Sequence, residues 1–111
     1  MPTLRERKRY LAFEIISEQP VGDFKAVSDA VWSSALNFLG VLGCAEAGMI
    51  MLPDKYNKER QRGMIRVNNK SVDKLRATLA LIDQINGQNA IVRSVGVSGV
   101  LNKAESRYIA A

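Results

Sequence analysis

At 111 residues, 47% of them hydrophobic, the chain has material for one packed domain and not for a second. Sixteen Lys and Arg against eleven Asp and Glu leave a net charge of +5, which favours a polyanionic partner, nucleic acid before membrane. One cysteine and no histidine exclude an internal disulfide, a Cys/His zinc site and the histidine-based nucleophile pairs, and they fit a reducing cytoplasm.

The chain opens on a basic lead, Arg5-Glu6-Arg7-Lys8-Arg9, so residues 1–8 form a basic N-terminal arm to the single domain 1–111. From Tyr10 to Ser17 the pattern alternates, with Leu11, Phe13 and Ile15 on one face, and reads as a first strand. After Pro20 and Gly22, Asp23 is placed to cap a helix whose apolar stripe is Phe24, Val27, Val31, Ala35 and Phe38. Gly40 and Gly43 mark the end or a break of that helix, and no stretch is expected to span a bilayer. Met49-Ile50-Met51-Leu52 does not alternate, as a second strand covered on both faces would not.

A charged turn from Pro53 to Glu59 leads into Arg60–Asn69, a basic third strand with Gly63, Ile65 and Val67 on one side and Arg62, Met64, Arg66 and Asn68 on the other. Ser71 is placed to cap a second helix with Val72, Leu75, Leu79 and Ile82 buried and Asn86-Gly87 as its stop. Ala90 to Val97 is the fourth strand, and residues 100–111 hold a short amphipathic C-terminal helix. The resulting fold class is α+β, a ferredoxin-like, RNA-recognition-like βαββαβ sandwich: a four-stranded antiparallel sheet with helices on one face plus the short C-terminal helix.

Between Lys55 and Lys70 six cations face Glu59 alone, a local excess as large as that of the whole chain. Phosphate binding needs several cations on one surface, so the candidate RNA contacts are Arg5, Arg7, Lys8, Arg9, Arg60, Arg62, Arg66, Lys70, Arg93, Lys103 and Arg107. The third strand matches the RNA-recognition motif at Arg62, Gly63 and Val67 but lacks every stacking aromatic, with Tyr10 on the first strand the one alternative platform. Backbone or shape recognition of a folded RNA is therefore expected over reading of single-stranded bases. The apolar second strand and its neighbour supply a candidate protein interface of Met49, Ile50, Met51, Leu52 and Met64. No catalytic or metal-binding residues are assigned. The rival reading is a ferredoxin-like regulatory or small-ligand module that associates through its sheet edge.

The blocks Arg9-Tyr10-Leu11-Ala12-Phe13-Glu14-Ile15, Gly63-Met64-Ile65-Arg66-Val67-Asn68, Leu79-Ala80-Leu81-Ile82 and Arg93-Ser94-Val95-Gly96-Val97-Ser98-Gly99, in that order and spacing, resemble the archaeal ribonuclease P protein component 2 family, relatives of the eukaryotic Pop-type subunit. The resemblance implies a non-catalytic subunit of the ribonucleoprotein that removes the 5′ leader from precursor tRNA. It further implies that the RNA performs the hydrolysis with its own magnesium ions while the chain binds no cofactor. The implied partners are ribonuclease P RNA, the barrel-like protein component 3 and a second copy of the chain within a heterotetramer, with precursor tRNA met indirectly and no membrane.

Overall fold

A computed structural model describes residues 7–110; Arg5 lies outside them. Strand β1, Lys8–Ser17, is followed by helix α1, Phe24–Ala47, and by β2, Ile50–Met51. Strand β3, Arg62–Asn68, helix α2, Val72–Ala80, and the hairpin of β4, Gln84–Ile85, and β5, Gln88–Ser98, come next. The chain closes with α3, Leu101–Ala104, which runs on into a wide turn over Glu105–Ile109.

The strands form one antiparallel sheet in the order β2-β3-β1-β5-β4, with β1 paired to β3 and β5. The expected sheet of four strands thus has five. The difference lies at Asn86-Gly87, expected to stop α2. Both residues sit at positive φ, 55° and 81°, as the central pair of a tight hairpin turn requires, and they join β4 to β5. The second helix ends earlier, at Ala80, and Ser71 makes no side-chain cap.

Helix α1 starts as the sequence indicates: the Asp23 carboxylate accepts from the Lys25 N–H at 3.0 Å. The helix kinks at Gly40, whose φ of 74° lies outside the helical range, and ends on Gly48 in the left-handed conformation. Helix α1 is long and apolar enough to cross a membrane, contrary to the expectation that no stretch is. In the fold one side of it packs on the sheet, with Val27, Val31, Ala35, Cys44 and Ala47 buried.

Alternation along β1 and β3 separates two cores. Leu11, Phe13, Ile15, Ile65 and Val67 meet Val27, Val31, Leu75 and Leu79 of α1 and α2 on one face. Gly63 is needed here because Phe13 lies opposite it in register, and a Cβ would come within 2.6 Å of the Phe13 ring. The glycine that matched an RNA-binding motif therefore has a packing reason of its own. On the other face Ala12 and Met64 pack with Ala104 and Ile109, so α3 covers the sheet surface left open by α1 and α2. A bulge assists: Ala12 pairs with Gly96 and Phe13 with Ser94, which leaves Val95 unpaired. The Tyr108 ring lies over Gly96, where a Cβ would fall 2.2 Å from its Cζ.

Candidate nucleic-acid interface

Antiparallel pairing decides which cations meet. Lys8 is opposite Asn68 and Glu14 is opposite Arg62, so the start of β1 adjoins the end of β3. Arg7 accepts from the Asn69 N–H through its carbonyl at 2.7 Å, and the Lys8 ammonium donates to the Asn68 side chain. Asn68 in turn donates to the Glu46 carbonyl at 2.6 Å and thereby holds this end of the sheet to the end of α1. Arg7, Lys8, Arg9 and Lys70 gather here, with Arg66 two residues inward on β3. Arg60 lies just before the opposite end of β3, roughly 20 Å away at ~3.3 Å per residue. The basic run Lys55–Lys70 is thus divided between two ends of one strand rather than joined into a single patch.

At that second end an acid intervenes. The Glu14 carboxylate accepts from Arg62 Nε at 3.1 Å and from Arg93 Nε at 2.8 Å, a row across β3, β1 and β5. Arg62 also donates to the Tyr108 carbonyl at 3.0 Å, which fastens the C-terminal turn to the sheet. Burial pushes the Glu14 carboxyl up, but the hydrogen bonds from Arg93 and Arg62 and their positive charges outweigh it, and the group lies below the ordinary glutamate range. Arg62 is the more enclosed of the two arginines, whereas Arg93 leaves over half its side chain in solvent. Arg62 therefore serves the fold first, and Arg93 keeps donors for an external acceptor. Lys55 is likewise paired, to Glu105 at 3.0 Å, while Lys103 and Arg107 stand exposed on the C-terminal segment.

Among the residues expected at a protein interface, Met49 and Met64 are buried and Met51 and Leu52 are partly buried against the two cores of the same chain. Met64 is fully buried, packed with Ala12 beneath Ala104 of α3 and Ile109. Ile50 alone of the five is well exposed. The larger apolar surface lies on the second half of α1, where Leu36, Phe38, Val41 and Leu42 project, the last two 79% and 73% exposed. Phe38, expected in the buried stripe, is half exposed. The available signal was the run Leu36 to Leu42, apolar on more sides of the helix than one core contact uses.

Among the described residues no three of His, Cys, Asp and Glu stand together as metal donors. The fold and surface define a basic α+β domain with its cations at the sheet ends, an internally covered sheet face and an exposed apolar surface on the second half of α1. Residues 9–109 match the model of the Rpp14/Pop5 family, and the chain belongs to that family. It is 40% identical over 109 residues to ribonuclease P protein component 2 of Thermococcus gammatolerans, which covers 98% of this chain and 88% of the relative. The protein of the same name from Thermococcus kodakarensis is 39% identical over 111 residues, with the same coverage. That of Methanosarcina acetivorans is 35% identical over 109 residues, covering 98% of this chain and 79% of the relative. The fold is also that of a chain in the cryo-EM structure of yeast ribonuclease MRP, with a TM-score of 0.65 at 17% identity over 91% of this chain and 79% of that one.

Proposed function

We infer that this chain is a non-catalytic protein subunit of ribonuclease P, the endoribonuclease that matures the 5′ end of tRNA. The observation that carries this reading is 39–40% identity, over nearly the whole chain, to archaeal proteins named as ribonuclease P protein component 2, with the family match running through every element of the fold. The physical surface supports the same role. A sheet face covered by α3 offers no row of aromatics on which successive single-stranded bases could stack, whereas cations at both sheet ends and on the outer side of α3 suit the phosphates of a folded RNA. Hydrolysis and its magnesium ions belong to the RNA in this reading, and no step is assigned to a metal held by this chain.

The finer arrangement follows the same reading. The sheet is ferredoxin-like in its β2-β3-β1-β5 order, with the β4 hairpin added at one edge. The exposed apolar half of α1, with Ile50 beyond it, is the surface for protein component 3 or a second copy of the chain in the cytoplasmic particle. Removing charge at Arg7 and Lys70 together should weaken RNA binding uniformly and reduce the log–log salt slope by roughly 1 to 2 units. Filter binding across a salt series checks this, and an unchanged slope would move the interface away from this end of the sheet.

A further inference from the structure

Arg66 poses a problem that the fold does not answer. Its Nε–H is buried and has no hydrogen-bond acceptor, although buried donors are satisfied in the great majority of cases. The side chain lines a cavity of about 280 Å³ between the sheet, the turn after β2 and the start of α3, together with Tyr10, Leu52, Pro53, Asp54 and Leu101. Tyr10 is directly opposite Arg66 across the β1–β3 pair. Lys55 also borders the cavity, but its charge is engaged by Glu105.

The lining specifies its occupant. The walls are mostly apolar, one of them aromatic, which suits a flat ring. The polar groups are the Arg66 guanidinium, the Asp54 carboxylate, the Tyr10 hydroxyl and the Lys55 ammonium that Glu105 engages, and no ion pair joins Arg66 to Asp54 among the described residues. A phosphate or an acidic side chain would satisfy Arg66 but would be repelled by Asp54. A neutral heterocycle carrying both acceptors and donors on its edge satisfies both. The neighbourhood supplies the rest: Arg9 adjoins Tyr10 in β1, and Arg7, Lys8 and Lys70 gather at the same end of the sheet, where the phosphates flanking such a ring would lie.

We propose that this cavity receives the base of one unpaired nucleotide, with the Arg66 guanidinium, whose buried Nε–H reports on the site, donating to a ring nitrogen or carbonyl, Asp54 accepting from an exocyclic amine and Tyr10 forming an aromatic wall. This rests on the reading of the chain as an RNA-binding subunit and adds to it a single base contact within an otherwise phosphate-directed surface. Tyr10 then acts as a lone platform for one base, without the row of aromatics that an RNA-recognition sheet uses.

The test follows the Arg66 Nε–Hε resonance of the isotopically labelled full chain by NMR. Adenosine, guanosine, cytidine and uridine are added in turn, with ribose 5-phosphate, inorganic phosphate and an oligo-glutamate peptide as controls. At least one nucleoside should move the resonance saturably while the controls do not. Leu101→Trp, which fills the cavity and keeps the charge, should abolish that response and weaken binding of a single-stranded decamer about tenfold with an unchanged salt slope. Competition separates the sources of the base. Displacement of the nucleoside by the decamer assigns the contact to RNA, and saturation without competition assigns it to a free nucleotide. An equal response to phosphate or to the acidic peptide overturns the proposal, as does silence towards every nucleoside. If Leu101→Trp does not fold, the titration of the unmodified chain decides alone. A silent Arg66 in a chain that still supports ribonuclease P RNA removes the base site and leaves the subunit role standing. A responsive Arg66 in a chain that does not support that RNA does the reverse.

Discussion

Replacing Gly96 by alanine tests whether the C-terminal segment is an integral cover of the sheet. The added Cβ would lie 2.2 Å from Tyr108 Cζ, 2.4 Å from Cε1 and 2.6 Å from the hydroxyl, so the ring must leave its place. If only the ring swings out, it gives up about 100 Å² of burial, or about 2.5 kcal/mol at ~25 cal/mol/Å². The lower chain entropy of unfolded alanine offsets about 0.5 kcal/mol of this, for a net loss of about 2 kcal/mol. If the turn Glu105–Ile109 leaves with the ring, burial of Ile109 and the Arg62 bond to the Tyr108 carbonyl go too, adding about 3 kcal/mol. Urea unfolding gives the magnitude, and hydrogen exchange at residues 101–110 tells the two cases apart. The cause is isolated by a double-mutant cycle. Tyr108→Ala should cost about 2 kcal/mol alone, and in its presence Gly96→Ala should cost close to nothing. Additive effects would refute the reasoning, because the glycine would then matter for something other than the ring above it.

Two further outcomes follow. Glu14→Gln should lower stability at neutral pH by about 1–2 kcal/mol, since Arg62 and Arg93 lose the negative charge between them and one of its two acceptor oxygens. Because the folded carboxyl lies below its unfolded value of about 4.3, the contribution is complete above that value and vanishes as pH falls through the folded one; a stability gap of constant size down to about pH 2, measured by urea unfolding of both proteins, contradicts it. Val41→Glu with Leu42→Glu should leave the unfolding midpoint within about 0.5 kcal/mol, as both side chains are already in water, while abolishing assembly with protein component 3 or with a second copy in light scattering.

Much of this fold lies in local pattern. The period-two runs of β1 and β3, the Asp23 cap and the Leu75–Leu79 stripe are short-range signals, and the elements formed where those signals stand. The fifth strand was also legible: Asn86-Gly87 serves a helix end and a tight hairpin equally well, and here the alternation after Gln88 decides between them. What local pattern does not carry is the partner of each face. Met64 looks open on its strand until α3 is laid across it, and that docking depends on a bulge at Val95 and a missing Cβ at Gly96, far apart from Ala12 in sequence. The cation cluster misleads for the same reason. A run from Lys55 to Lys70 reads as one patch, yet an extended strand carries its two ends roughly 20 Å apart. The Glu14 pairing of Arg62 and Arg93 depends on register alone.

On the reading proposed above, this chain serves a catalytic RNA rather than performing chemistry itself. The most direct test of that role is reconstitution of precursor-tRNA cleavage from an archaeal ribonuclease P RNA, its protein component 3 and this chain, across a magnesium series. Adding the chain with component 3 should move cleavage to a lower magnesium concentration than the RNA needs alone, and the chain without RNA should cleave nothing. An unchanged magnesium requirement, or cleavage by the protein in the absence of RNA, would contradict that role.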